Sequence, residues 1–465
     1  MSPNRNLIVA LLFLATAAFA QEKKAESNAA PKLSPPPAAA FTFGGDVRLR
    51  YEAYDSAQTL NADAPFHIRD YFRLRTRAWV NYNFTPTLSV FGRLAAEPRY
   101  WFNNATVASE GREWKYALVD NLFVKWATSQ SVSAPVTLVV GRQDIQLGDQ
   151  WLVGDGTPVD GSWTTFFDGA RATIDVKSIK TKFDVMVFGE QAHPKDDCPM
   201  VGRPSTYVVT EQDEVGAILY ASNKLLKNIQ LDGYFMYKED HKVSSAGNNG
   251  DTNTLGLRIA GTPSDHWQYT AEGAYQWGHR DLPVRYPMTI MGECDVAAYG
   301  GIAKLTYIFK DKLSNQVTLL GEYLSGDDPK SIGKDEMFDV LWGRYPRVGE
   351  TWAVAFSAES GGRPSQYQNL GRLGATWTIS PIKDGSIATS YFAMFAPEKT
   401  PTRTSNASLY SRDSNFRGHM FQVIAKQKFT KSISGLLFAE ASLLGDYYTH
   451  KDTITFVRAE VMYTF

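Results

Sequence analysis

From Gly44 to the end of the chain, the sequence repeats one pattern, in which apolar and polar side chains alternate until a break interrupts them. In YFRLRTRAWV, 71–80, Arg73, Arg75 and Arg77 share one side and apolar residues occupy the other. A period of two indicates a β-strand whose faces meet different surroundings. The pattern predicts eighteen strands, at 44–54, 68–84, 86–98, 115–128, 135–147, 166–177, 181–191, 212–222, 228–239, 252–262, 266–279, 296–310, 314–326, 367–380, 385–396, 416–429, 432–446 and 453–465.

The connections between these strands alternate in length. The short ones are turn-like: NFTPTL, KSIKT, GTPSDH, FKDKLSN, SPIKDGS and FTKSIS. The long ones are 97–114, 148–165, 192–211, 279–295, 327–366 and 397–415. The strands are also longer than the ~5–6 residues usual in soluble domains. Together these features predict an all-β fold, a transmembrane antiparallel up-and-down β-barrel of about 18 strands with short periplasmic turns and long extracellular loops.

One segment tests this topology. ETWAVAFSAES, 350–360, has a strand-like composition, but a nineteenth strand would put the alternation of long and short connections out of phase. We therefore assign the segment to the long loop, either as local β-structure or as a part folded toward the lumen.

The last strand carries a more specific signal. TFVRAEVMYTF places Val457, Val461 and Phe465 on one face and ends the chain on an aromatic residue. This resembles the carboxy-terminal assembly signal of bacterial outer-membrane barrels. We therefore expect the outer-membrane assembly machinery and outer-membrane lipid as partners, and the bacterial outer membrane as the location.

The amino terminus indicates export. Arg5 precedes an apolar run, and Ala18 and Ala20 supply the small residues of a signal-peptidase site. The run is shorter than the ~20 residues of a spanning helix, which argues against a membrane anchor. We read 1–20 as a signal peptide, 21–43 as a disordered leader rich in Pro and Ala, and 44–465 as the barrel.

Composition excludes several classes of function. The net charge of -1 gives no support for nucleic-acid binding. The seven histidines lack metal-ligand spacing, and GDGTPVDG, 154–161, lacks the glutamate of a Ca²⁺ loop, so no metal and no cofactor are predicted. No GxSxG, Walker or HExxH motif occurs, so we do not predict an enzyme. A disulfide between Cys198 and Cys294 stays open.

If the apolar faces meet lipid, the opposite faces line the lumen and are basic. The candidate pore-lining residues are Arg48, Arg50, Arg73, Arg75, Arg77, Arg93, Lys125, Arg142, Arg171, Arg258, Lys304, Arg372 and Arg458. The candidate acidic partners are Glu52, Asp175, Glu322 and Glu460. These arginines could instead brace the wall by pairing with acids. For the row from Arg73 to Arg77 we expect few partners, only Glu52 and Glu97, which favours an anionic ligand.

Three segments resemble the alginate export porin family. The densest is LVVGRQDIQLGDQWLVGDGTPVDGSWTTFFDGARATID, 138–175, in which GRQ ends a strand, LGD follows, and FDG opens the next strand. GDVRLRYEAY, 45–54, and RDYFRLRTRAWVNYNF, 69–84, are similar to the family as well.

The resemblance implies a narrow, arginine-rich pore that passes a polyanionic uronate polymer. It would assign Arg48, Arg75, Arg93, Arg142, Arg171 and Arg458 to the pore, although a bulge at Gly141 would remove Arg142. The expected solute is alginate, a related acidic oligosaccharide or a small anion. The alternatives are a general anion-preferring uptake porin, an outer-membrane barrel enzyme and a closed adhesion barrel.

Overall fold

The computed structural model describes residues 40–103, 111–113, 117–154, 167–192, 200–201, 210–282, 292–331, 333–402 and 406–465. Within these ranges the chain forms a closed antiparallel barrel of eighteen strands, as predicted. The predicted signal peptide and Cys198 lie outside the described residues, so cleavage of the signal stays a prediction and the disulfide stays open. Cys294 is buried.

The barrel strands are β1 (Ala40–Asp55), β2 (Ile68–Thr85), β3 (Leu88–Ala96), β4 (Ala117–Ala127), β5 (Val136–Gln143), β6 (Phe167–Val176), β7 (Thr181–Glu190), β8 (Gln212–Asn223), β9 (Ile229–Lys242), β10 (Gly250–Ser264), β11 (Trp267–Leu282), β12 (Gly292–Ile308), β13 (Gln316–Leu324), β14 (Leu370–Ile379), β15 (Gly385–Phe395), β16 (Phe416–Lys428), β17 (Ile433–Leu444) and β18 (Thr453–Thr464). Shorter elements are the strands Arg99–Asn103, Gly111–Glu113, Met200–Val201 and Lys334–Asp335 and the 3-10 helices Lys177–Ile179 and Ala407–Leu409.

The barrel closes where β1 pairs with β18, from Asp46 opposite Thr464 to Asp55 opposite Thr455. Closure leaves no edge strand with unpaired backbone groups, which is the condition for a sheet to cross a bilayer. β1 begins at Ala40, four residues before the predicted start, and therefore takes the end of the predicted leader.

The two faces of the wall differ as the alternation requires. Leu257 and Leu373 are 72% and 66% exposed on the outer face, where lipid would cover them. Arg258 and Arg372, one residue away, are buried on the inside. The outside is therefore apolar and the inside polar, the reverse of a soluble domain.

All connections longer than eight residues lie on one side of the barrel, as predicted. The connections on the turn side are two to eight residues long, and those on the other side are seven to forty-five. Among the described residues, no helix has the length and apolar character needed to cross a membrane.

The longest connection, which we call the inserted loop (residues 325–369), folds into the lumen. ETWAVAFSAES forms the helix α1 (Glu350–Ser360), so the expectation of local β-structure was wrong and that of a segment folded toward the lumen is confirmed. Three alanines favour the helix, and Gly361 ends it in the left-handed conformation at φ 76°. Trp352 and Phe356 of α1 are fully buried, and Phe338 stacks on Trp151 of the loop after β5.

Candidate pore lining

The register of β1 and β2 sets arginines directly opposite each other on the lumen face. Arg48 lies opposite Arg75, and Arg50 lies opposite Arg73. Like charges opposite one another destabilise a sheet unless opposite charges separate them. The lumen must therefore supply carboxylates, and the structure shows where they come from.

Asp46 and Glu97 pair with the row of arginines from Arg73 to Arg77 on β2. Asp46 accepts hydrogen bonds from Arg75 at 2.7 Å and from Arg77 at 2.7 Å. Glu97 pairs with Arg73 at 2.7 Å. The expectation of an underpaired row was therefore wrong, because Asp46, in the same strand phase as the β1 arginines, was overlooked.

Closure of the barrel brings β18 into the same cluster. Glu52 is fully buried and accepts hydrogen bonds from Arg458 at 2.6 Å and from Arg73 at 3.3 Å. Glu460 pairs with Arg50 on the neighbouring strand. Residues more than four hundred positions apart thus share one network.

We call this cluster the arginine wall. Its seven arginines are Arg48, Arg50, Arg73, Arg75, Arg77, Arg99 and Arg458, and its five carboxylates are Asp46, Glu52, Glu97, Glu350 and Glu460. Among the described residues, seven against five leaves an excess of two positive charges. The sequence therefore predicted both its cationic character and, as an alternative, its bracing by acids.

Three of the other predicted residues, Arg93, Arg258 and Lys304, belong to two smaller groups. Arg93 is held by Asp120 at 2.8 Å and by both oxygens of Asp144 at 3.1 Å. Arg258 and Lys304 share Asp149, at 2.5 Å and 3.3 Å. Asp144 and Asp149 lie in the loop after β5, where strand periodicity gives no signal for them.

Glu322 is the centre of a third smaller group of ion pairs and hydrogen bonds. It is buried on β13 and accepts hydrogen bonds from Arg372 at 2.7 Å and from Trp151 at 2.9 Å. Arg347 of the inserted loop also binds it. Glu322 and Arg372 were predicted to line the lumen, whereas Arg347 and Trp151 come from loops and were missed.

Three predicted residues stay apart from these groups. Arg171 pairs with Asp184 at 2.9 Å, and Lys125 is exposed to the lumen without an ion pair to any described residue. Asp175 lies opposite Lys182 near the turn side and, within the described part of the chain, forms no ion pair. Asp175 therefore does not serve as a partner for a described arginine.

The placement of Arg142 in the pore was wrong. Pairing of β5 with its neighbours continues through Gly141 without a register shift, so Arg142 keeps the phase of Val140. It lies opposite Leu122, which is exposed on the outer face, and donates hydrogen bonds to Asp168 and to the Val119 carbonyl. Arg142 thus braces the barrel sheet between β4 and β6, near the long-loop side.

Ion pairs also tie the inserted loop to the barrel. Arg417 of β16 binds Glu359 of α1 at 2.7 Å. Glu211, just before β8, binds Arg344 at 2.6 Å and Arg363 at 2.7 Å. Burial by itself would raise the pKa of Glu211, but the two guanidinium groups outweigh it and hold that pKa well below its usual range.

The lining is rich in guanidinium groups that are paired with carboxylates. Guanidinium groups present forked donors that match carboxylate oxygens. Among the described residues, no group of three or more His, Cys, Asp or Glu side chains can hold a metal ion. A closed eighteen-strand barrel with an apolar exterior and a charged lumen defines an outer-membrane channel.

Comparisons with known proteins agree with this class. The barrel is similar to Pseudomonas aeruginosa OccK5 (OpdH), with 13% identity, a TM-score of 0.52 and coverage of 91% of this chain and 97% of that one. P. aeruginosa OccD3 (OpdP) is 10% identical, with a TM-score of 0.52 and coverage of 94% of this chain and 96% of that one. Acinetobacter baumannii OccAB4 is also 10% identical, with a TM-score of 0.51 and coverage of 91% of this chain and 98% of that one. These are outer-membrane porins, and at such identities the likeness concerns the fold.

The sequence identifies the family. The family described as Alginate export matches residues 40–460, which is nearly the whole barrel. The chain belongs to the alginate export family, which confirms the resemblance noted in its sequence. No curated protein sequence matches the chain.

Proposed function

We propose that this protein is an anion-preferring outer-membrane channel whose solute is a polyuronate such as alginate. The arginine wall is the observation that carries the proposal. Its excess of two positive charges among the described residues lies inside a lumen between low-dielectric walls, which concentrates anions. Its guanidinium groups are already held in place by carboxylates, so an entering uronate meets ordered donors.

A polymer suits this lining better than a single small anion. Further cationic side chains lie on the strands that follow the arginine wall around the barrel, with Arg93 on β3 and Arg171 on β6, each held by carboxylates. A chain with one carboxylate per sugar can exchange partners among these side chains. The polymer then moves through the channel while most of its carboxylates keep a cationic partner.

Planar-bilayer recordings in a KCl gradient test the proposal. We expect the wild type to prefer chloride and to be blocked by an alginate oligosaccharide. Arg75→Gln/Arg77→Gln leaves Asp46 without these two partners and should lower the chloride preference several-fold. Lys224→Gln/Lys227→Gln, which removes the same charge from an exposed turn, is the matched control.

Two outcomes would contradict the proposal at different levels. Equal passage of potassium and chloride by the wild type excludes an anion-preferring channel. Chloride preference without block by the oligosaccharide indicates a general anion-preferring porin for small solutes.

A further inference from the structure

Three aromatic side chains lie next to one another across β2, β3 and β4. Trp79 and Phe91 stack with ring centroids 6.0 Å apart and planes at 24°. Phe91 and Phe123 stack at 5.1 Å and 20°. Rings stacked directly over each other would have centroids only ~3.5–4.0 Å apart, the distance of carbon atoms in contact. The longer centroid distances show that the rings are offset, so each leaves part of a face uncovered.

The strand phase places these rings in the lumen. Phe91 lies two residues before Arg93 and therefore shares its face, and the partners of Arg93 are inside the barrel. Phe123 lies opposite Phe91. Leu122 and Val124, the neighbours of Phe123, are exposed on the outer face. Each of the three rings is half-buried and lies toward the turn side of its strand.

Cationic side chains border the rings. A niche of about 370 Å³ is lined by Phe91, Phe123, Lys125 and Arg171, together with Thr137 and Thr173. Arg93 and Asp144, which pair with each other, also line it. Lys125 is exposed there without an ion pair to a described residue, and Arg171 uses its Nε on Asp184. The niche therefore combines aromatic surface, hydroxyl groups and cationic charge within reach of one another.

We propose that Trp79, Phe91 and Phe123 form an aromatic track for the pyranose rings of a uronate polymer, with Lys125 and Arg171 binding its carboxylates. One face of a pyranose presents C–H groups, whose weak positive charge suits the negative face of an aromatic ring. A uronate offers that face and a carboxylate on the same unit, which matches the niche. The track rests on the proposed function and names the sugar-contacting residues at the turn side of the lumen.

Cross-strand aromatic pairs also stabilise sheets, and the test must separate that role from sugar binding. Phe91→Leu/Phe123→Leu keeps apolar volume but removes both ring faces. The readout is block of chloride current by an alginate oligosaccharide and, separately, by polyglutamate of matched charge, which has no pyranose ring. Phe421→Leu, which removes an exposed ring on the outer face, is the control.

We expect the oligosaccharide to block the double variant about tenfold more weakly than the wild type. This is the loss of affinity expected when roughly one contact between an aromatic ring and a sugar ring is removed. Block by polyglutamate and chloride preference should stay at wild-type values. If the double variant fails to assemble, Trp79→Leu tests the other end of the track and should weaken only the oligosaccharide block.

Equal loss of both blocks, or loss of neither, overturns the track and leaves the proposed function standing. A wild type that no polyanion blocks overturns the proposed polyuronate channel and the track with it. Weaker oligosaccharide block in Phe421→Leu also counts against the track, because that ring lies outside the lumen.

Discussion

The arginine wall and the inserted loop are both rich in buried ion pairs, but their charges differ in origin and in balance. The wall takes its arginines mainly from regular strands, at every second position, and keeps an excess of positive charge. The loop takes its charges from irregular backbone and a helix, and pairs them with acids or arginines of the barrel. We therefore expect the wall to set the ion preference of the proposed channel and the loop to set how much of the lumen stays open.

The two regions meet at Arg458. Its guanidinium binds Glu52 of the wall and, at 2.8 Å, Glu350 of α1. One side chain thus links the charge of the wall to the position of the loop. Separating the two contributions requires variants that disturb one region and spare the other.

The largest effect is expected from removing the loop. Replacing residues 337–366 with a short Gly-Ser linker should raise single-channel conductance several-fold, because α1 and its aromatic core leave the lumen. The wall charges released from the loop would then be hydrated. Retained chloride preference at the higher conductance would show that the wall sets selectivity, whereas unchanged conductance would show that the loop does not constrict the lumen.

Arg458→Leu breaks the link itself. It leaves Glu52 and Glu350 buried with one partner fewer each, and loss of one partner from a buried pair costs about 3–5 kcal/mol. Guanidinium-induced unfolding in detergent measures the free energy of unfolding. Arg458→Lys, which keeps the charge, should lose less. A loss below ~1 kcal/mol would show that the ion pairs of Arg458 contribute no more than exposed surface ion pairs do.

Glu211→Gln loosens the loop without touching the wall. Loss of the charged acceptor of Arg344 and Arg363 should cost about 1–3 kcal/mol. Because the folded pKa of Glu211 is lowered, its contribution is complete above the ordinary glutamate pKa of ~4.3 and is lost as pH falls below it. Wild-type stability should therefore decline between about pH 4 and pH 2 by more than that of the variant. Parallel pH profiles would contradict this assignment.

Trp151→Phe gives the smallest expected effect. It removes the hydrogen bond from the indole to Glu322, which keeps its two arginines, so the loss should be about 1 kcal/mol. Trp342 is an internal control, because its buried Nε1 has no hydrogen-bond partner among the described residues. Trp342→Phe removes similar ring area and no hydrogen bond. Equal losses in the two variants would show that the Glu322 bond contributes nothing.

Strand phase carried most of what could be predicted. It located every barrel strand, placed Arg48 and Arg75 inside, and could also have identified Asp46, two residues before Arg48. It failed at Arg142, which shares the outward phase of Val140 because pairing on both sides of β5 continues through Gly141 without a register shift. It gave no information about Glu350, which acts from a helix in the middle of a long loop.

The sequence by itself determined the barrel, since alternation with a period of two and connections of unequal length leave few other ways to satisfy backbone groups in a membrane. It also predicted the facing arginines of β1 and β2 on the lumen side. Only the tertiary structure decided which carboxylate holds each arginine and how far the loop fills the lumen. Those contacts join residues such as Glu52 and Arg458, whose proximity follows from closure of the whole barrel and from no local pattern.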